Sequence, residues 1–271
     1  VVTVVAITGG TRGIGLATAQ ACLRAGMSVA IGSRNRDQSA AVAARLGDRA
    51  AGYVLDVRDG GQFDTFLCRV EEHFGRLDVL INNAGIVRTG NFVREDPADT
   101  QAILDTNLSG VIIGTRLALR RFLPRQQGHI VNVASAGGQI ALAGEATYAA
   151  TKHAVVGFTR AIRAETRGTG VRTTIVMPGF TRTEMAAGVE PRRGMRVVST
   201  AAVADAIVKA LRTGKQELYI PRELGLLGSL VAGSPPWIGD RIKRAFGLDE
   251  ILFRAEAALR HGHLRSVEQP F

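Results

Sequence analysis

Tyr148 and Lys152 stand four residues apart in a stretch with helical periodicity, so one turn brings both side chains to the same face. A phenol with a pKa of ~10 is a poor base at neutral pH. An ammonium group beside it favours the phenolate and lowers that value, which would make Tyr148 a general acid/base and Lys152 its partner. Tyr-x-x-x-Lys taken alone is a common accident of sequence. Here Ser135 precedes it, just past the apolar run His129–Val133. Ligands of open parallel sheets bind beyond the carboxyl ends of the strands, and a hydroxyl placed there would hold the oxygen of a carbonyl or an alcohol. The chemistry implied is proton transfer at that oxygen.

A second constellation opens the chain. The strand-like run Val1–Ile7 leads into Thr8-Gly9-Gly10-Thr11-Arg12-Gly13-Ile14-Gly15, and a helical pattern follows. Glycines let the backbone turn tightly and approach a pyrophosphate, and the helix N-terminus offers unpaired N–H groups. Gly9, Thr11, Arg12, Gly13, Ile14 and Gly15 are therefore candidate contacts to a dinucleotide. The spacing is Gly-x-x-x-Gly-x-Gly rather than the commoner Gly-x-Gly-x-x-Gly. At the end of the second strand an acidic residue would grip a ribose 2′-hydroxyl, whereas Arg accommodates a 2′-phosphate. The sequence there reads Gly32-Ser33-Arg34-Asn35-Arg36, with no carboxylate before Asp37. Arg34 and Arg12 offer guanidinium forks and Ser33 a hydroxyl donor, so NADP(H) is expected as the preferred cofactor and NAD(H) as the second choice.

Positioning these groups requires strands that alternate with helices. Apolar, β-branched runs occur at Val1–Ile7, Ser28–Ile31, Ala51–Leu55, Leu77–Ile81, His129–Val133, Val171–Val176 and Glu217–Ile220. Helical periodicity fills the gaps, at Ile14–Ala25, Asp37–Leu46, Gly61–Phe74, Asp99–Phe122, Tyr148–Arg167 and Ala201–Leu211. The expected fold is α/β, a doubly wound, Rossmann-type, seven-stranded parallel sheet with helices on both faces. Residues 1–220 form one domain with the site integral to it, and 221–271 form a helical extension that would serve as lid, subunit interface or membrane contact.

Composition narrows the function classes. The 271 residues are 46% hydrophobic and 21% charged, ample for a core. The formal charge of +10 is local, because residues 101–200 alone carry 13 basic and 5 acidic groups. That argues against a nucleic-acid coating. Cys22 and Cys68 are too few for a disulfide framework or a zinc site and are expected to be buried, and the histidines show no ligand spacing, so no metal is expected. No uninterrupted apolar run of ~18 residues and no secretory pattern is visible, and the expected location is the cytoplasm.

Taken together and in order, the Thr8–Gly15 loop, Leu55-Asp56-Val57, Asn82–Gly85, Asn107, Ser135, Tyr148–Lys152 and Pro178-Gly179-Phe180-Thr181-Arg182-Thr183 resemble the short-chain dehydrogenase/reductase family, over roughly residues 1–220. Thr151 before Lys152 and Ala134 before Ser135, where many members have Ser, are minor departures. The resemblance implies that Tyr148 exchanges the hydroxyl proton, that Lys152 lowers its pKa and holds the nicotinamide ribose, and that Ser135 binds the substrate oxygen. It implies that Asn107 keeps its helix kinked around a water linking Lys152 to solvent. Asp56 and Val57 would meet the adenine, and Asn83, Ala84 and Gly85 the adenosine side of the groove. Pro178, Gly179, Thr181 and Thr183 would line the nicotinamide.

Substrate choice is expected from Gly138–Thr147, from Thr183–Val198 and from the tail. Gln139, Ile140, Leu142, Ala143, Met185, Ala186 and Ala187 give mostly apolar lining, which suggests a lipophilic ketone or secondary alcohol, and Glu190–Arg196 reads as a mobile lid. The alternative is a 3-ketoacyl-carrier-protein reductase, with Arg120, Arg121, Arg125 and the arginines of Arg160–Arg167 meeting an acidic carrier. A non-enzymatic NADP(H)-binding regulator is the alternative from another class. The resemblance also implies a homo-oligomer paired through Asp99–Phe122 and Tyr148–Arg167. A peripheral membrane contact through Leu224–Ala232 and Pro236–Phe246 is the lesser reading of the tail.

Overall fold

The computed structural model describes residues 2–181 and 197–245. The expected region Thr183–Arg196, with Thr183 and the lid segment, and the chain beyond Ala245 lie outside the described residues.

Seven strands form one parallel sheet: β1 (Val4–Thr8), β2 (Ser28–Ser33), β3 (Ala50–Val54), β4 (Val79–Asn82), β5 (Gly128–Val133), β6 (Val171–Pro178) and β7 (Glu217–Ile220). Their order is β3-β2-β1-β4-β5-β6-β7. The chain winds outward from β1 to β3, then returns to lay β4 beside β1. This reversal makes the crevice between the ends of β1 and β4 the natural ligand site. The inner strands are buried on both faces, as two helical layers demand, and are mostly apolar. One face carries α1 (Gly13–Arg24) and α7 (Thr200–Thr213) over Ile7, Ile31, Val131 and Val176. The other carries α3 (Gly60–Phe74), α5 (Gly110–Phe122) and α6 (Ala146–Glu165), where Phe63, Phe66 and Phe122 pack on Leu80 and Ile130. Beside β3 lies α2 (Arg36–Leu46), and α4 (Pro97–Leu104) leads into α5.

Local chemistry sets the helix starts. Asn35 caps α2 by accepting from Gln38 N–H at 2.9 Å, Asp59 caps α3 through Gly61 and Gln62 N–H at 2.8 and 3.0 Å, and Ser199 caps α7 through Ala202 N–H at 3.1 Å. By contrast, the side chain of Arg12, which precedes α1, makes no cap hydrogen bond. The segment expected as one helix, Asp99–Phe122, is interrupted by a π-helical turn at Asp105–Ser109. Its run Pro97–Phe122 is long and apolar enough to span a membrane by composition, yet Ile103, Val111, Ala118 and Phe122 are packed in the core.

Buried polar groups tie the central layers together. Asn82 donates to Asn132 Oδ1 at 2.9 Å, Asn132 donates to Thr159 on α6 at 2.9 Å, and Thr159 donates to Val155 O. Cys22 is fully buried, and burial pushes its thiol up to about 12. Cys68, expected to be buried, is half-buried, and its sulfur accepts from Arg121.

At the sheet edge Glu217 of β7 accepts from Arg160 Nε and Nη2, each at 3.0 Å, and from Arg163 at 3.1 Å and Tyr219 at 3.0 Å. The Arg160 hydrogen bonds, seconded by Arg163 and Tyr219, hold its carboxyl down at about 2. A carboxyl depressed in the fold stabilises it above the ordinary value of 4.5 and loses that contribution as the pH falls toward about 2. Glu217→Gln is expected to cost about 1–2 kcal/mol at pH 7, moderated by solvent around the half-exposed Arg160. Thermal melts of the two proteins should converge between pH 4.5 and 2.

The tail adds α8 (Glu223–Gly233) and α9 (Pro236–Ala245). Leu226, Leu230 and Trp237 are exposed on them, while Leu224 and Leu227 turn toward the sheet crevice.

Candidate active site

A groove of about 960 Å³ runs along the carboxyl ends of the strands, across the reversal between β1 and β4. It is large enough for a dinucleotide together with a small second molecule. At one end lie Gly9, Thr11, Arg12, Gly13, Ile14, Ser33, Arg34, Asp56 and Val57, and at the other Ser135, Tyr148 and Lys152. Asn83, Ala84 and Gly85 form the wall between, and Pro178, Gly179 and Thr181 complete the far side.

The glycine loop fits a pyrophosphate. Gly9 and Gly13 adopt φ of +65° and +56°, which side-chain-bearing residues rarely accept. A Cβ on Gly15 would lie 2.3 Å from Gly9 O and 2.6 Å from Asn83 Nδ2, so only glycine lets α1 start this close to the loop. Gly15 itself is buried behind the loop and shapes the groove without lining it. Thr8 Oγ1 accepts from the N–H groups of Asn83 and Ala84 at 3.0 and 2.9 Å, and Asn83 Nδ2 donates to Thr8 O and Gly9 O. The Asn83 side chain thus braces the loop as well as bordering the groove. With no side-chain cap, the first N–H groups of α1 are directed to whatever occupies the loop.

Arg12 and Arg34 are both exposed at the adenosine end, and Asp37 does not line the groove. Ser33, beside them in the lining, donates its hydroxyl to Asn35 O at 3.1 Å and pairs with Ser39 Oγ at 2.7 Å, so it also fixes the turn. Asp56 forms a forked pair with Arg58, at 2.5 Å to Nη2, which holds its carboxyl below the usual range, and α3 is capped by Asp59.

At the reacting end, Lys152 is 4% exposed and donates to Val133 O at 3.0 Å. Burial lowers its ammonium to about 8. Its Nζ lies 5.5 Å from the centre of the Tyr148 ring. Ser135 Oγ accepts from Gly137 N–H at 3.0 Å and lines the groove together with Tyr148. The expectation of a lowered Tyr148 pKa is corrected here. Removing the phenol from water pushes it up to about 12, against which the Ser135 hydroxyl works, and the charge on Glu145 raises it further. Desolvation is the leading cause, and the Lys152 ammonium is directed toward the β5 carbonyl. Tyr148 therefore keeps its proton at neutral pH.

Asn107 sits in the π-turn, fully buried, and does not line the groove. Its amide exchanges two hydrogen bonds of 2.8 Å with the backbone of Ile86 and reaches Thr151 at 3.4 Å. It links the kink to the strand-β4 loop and to the helix that carries Tyr148 and Lys152.

Sequence reasoning missed Ile86 and Val87 after β4, whereas Glu145 falls in the expected stretch Gly138–Thr147, and Pro221, Leu224 and Leu227 fall in the expected tail, without having been singled out there. The tail residues carry no motif. A Cβ on Gly179 would lie 2.7 Å from Leu224 Cδ1, which is how α8 comes to wall the groove. Glu145 does carry a signal, as an isolated carboxylate three positions before Tyr148 in an apolar stretch. Ala143, expected in the lining, is exposed outside it, and Gln139 instead donates to Tyr219 at 2.8 Å.

Residues 3–194 match the short chain dehydrogenase family. Ketoacyl reductase HetN of Nostoc sp. is 33% identical over 272 residues, covering 96% of this chain and 95% of the relative. Two solved structures superpose on it. One is a 3-ketoacyl-(acyl-carrier-protein) reductase from Brucella melitensis complexed with NADH, with a TM-score of 0.74 and 25% identity over 80% of this chain and 96% of that one. The other is a single-residue variant of actinorhodin polyketide ketoreductase with NADPH, with a TM-score of 0.75 and 30% identity over 81% of this chain and 95% of that one.

Proposed function

Because the chain belongs to the short-chain dehydrogenase family of NAD(P)-dependent oxidoreductases, we propose that it reduces a ketone to a secondary alcohol with NADPH, and that the substrate is apolar around its carbonyl. One observation carries this reading: a single groove joins a glycine loop flanked by Arg12 and Arg34 to the Ser135–Tyr148–Lys152 cluster. The reduced nicotinamide supplies the hydride when bound. Ser135 orients the carbonyl oxygen, and Tyr148 gives that oxygen its phenolic proton as the carbon is reduced. Lys152, an ammonium below about pH 8, stabilises the phenolate left behind until solvent returns the proton. Ile140, Leu142, Phe180, Leu224 and Leu227 supply the apolar wall for the substrate.

The relatives favour a second reading, in which the ketone is a 3-oxoacyl thioester on a carrier protein. The arginines expected to meet the carrier are largely occupied. Arg121 pairs with Asp64 at 2.9 Å and Glu71 at 3.0 Å, and Arg160 and Arg163 pair with Glu217. Rates of NADPH oxidation with a lipophilic cyclic ketone and with acetoacetyl thioesters, free and carrier-bound, separate the two. Faster turnover of the cyclic ketone supports the first reading, a large gain from the carrier supports the second, and no turnover of either overturns both. We further infer a homo-oligomer paired through α5 and α6, since α6 exposes the small residues Ala150, Gly157, Ala161 and Ala164 along one side. Sedimentation equilibrium checks this.

A further inference from the structure

Resting on the reductase reading above, we propose that Glu145 is a specificity-determining residue that turns away carbonyl compounds bearing a carboxylate near the reacting carbon, and so confines the site to neutral esters, thioesters and ketones. Glu145 directly precedes α6, lines the groove and is 8% exposed. Its position relative to the reacting groups follows from Gly137. A Cβ placed there would lie 3.1 Å from Glu145 Oε1, 3.4 Å from Ser135 Oγ and 3.7 Å from Tyr148 Cε1. Carboxyl, serine hydroxyl and phenol ring thus converge on one point, and a substrate oxygen held by Ser135 and Tyr148 brings its neighbouring atoms close to the carboxyl. Ile140 and Leu142, on the same wall, have no charge to offer an anion.

Burial pushes the Glu145 carboxyl up to about 7. It is mostly neutral at pH 6 and ionised at pH 8.5, whereas a free oxo acid is ionised throughout that range. Two negative charges ~6 Å apart in a partly desolvated groove repel strongly enough to change binding by roughly tenfold or more. Among the described residues, the other charged or titratable groups on the surrounding elements include Tyr148 and Lys152 on α6, Glu95 before α4, which accepts from Thr147, Arg88 after β4 and Glu223 at the start of α8. Of these, Lys152 is lowered to about 8 and also titrates in this window, its loss of charge likewise disfavouring an anion. Only the part of the pH dependence that disappears when Glu145 is changed belongs to Glu145.

The test compares kcat/KM for ethyl acetoacetate and for acetoacetate with NADPH at pH 6 and 8.5, in wild type, Glu145→Gln and Glu145→Met. In wild type the ester-to-acid ratio should rise roughly tenfold or more with pH, and in both variants the rise should shrink to the smaller part owed to Lys152. An equal rise in wild type and variants overturns the proposal and leaves the reductase reading standing. Calorimetric binding of hexanoate and hexanamide to the NADPH complex asks the same question without turnover. Hexanoate should lose affinity relative to hexanamide at pH 8.5 in wild type and much less so in the variants. That arm decides the role of Glu145 even if no ketone is reduced, a result that would overturn the reductase reading by itself.

Discussion

Tyr148→Phe is expected to lower kcat for carbonyl reduction by roughly 10²–10⁴-fold, the usual worth of a positioned general acid, with nucleotide still bound. The substitution removes one oxygen from a ring packed in the groove and leaves Ser135 and the Lys152–Val133 contact in place. What disappears is the proton destined for the substrate oxygen. Wild-type activity should hold through neutral pH and fall as the pH rises past about 8, because Tyr148, raised to about 12, keeps its proton while Lys152 loses its charge. Steady-state rates across pH 6–10, beside a nucleotide-fluorescence titration of the variant, check both statements. A Tyr148→Phe protein retaining more than a tenth of wild-type kcat would assign the proton to another group.

Arg34→Asp is expected to weaken NADPH binding by roughly 10²-fold and to invert the preference toward NADH. A charge-assisted hydrogen bond to a phosphate contributes about 1.5–3 kcal/mol, and the new carboxylate adds repulsion. Each 1.4 kcal/mol is tenfold in Kd. The same carboxylate would accept from the ribose hydroxyl of NADH. The premise is local: Arg34 ends the β2 turn, Arg12 stands in the glycine loop, and the nearest carboxylate along the chain, Asp37, does not line the groove. Fluorescence titrations of both nucleotides decide it. Equal or tighter NADH binding in wild type would reduce Arg12 and Arg34 to solvated surface and point the substrate search toward alcohols.

Much of this site is legible in the chain because its parts are short and local. The glycine loop, Ser135 and the Tyr148–Lys152 spacing each lie within one strand end or one helical turn. Backbone geometry over a few residues dictates where such side chains point. The seven strands are legible for the same reason, since burial on both faces leaves continuous apolar runs. The contact of Ser33 with Ser39 escapes such a reading because Ser39 belongs to the following helix. The Tyr148 pKa escapes it because charge spacing is visible in a sequence, whereas desolvation depends on every wall of the groove.

Residue type at close spacing dictates the alternation of strands and helices, the glycine loop, the arginines beside it and the pairing of Tyr148 with Lys152 on one helix face. The environment those residues share comes from the folded arrangement alone. Folding sets the break in the Asp99–Phe122 helix that lets Asn107 clasp Ile86, the return of α8 across Gly179 to wall the groove, and the convergence of Glu145 on Ser135 and Tyr148. These depend on contacts between distant segments, and the burial they create sets proton affinities and admits or rejects charge. No local pattern carries that information, because the cost of desolvating a charge depends on all the neighbours that exclude water.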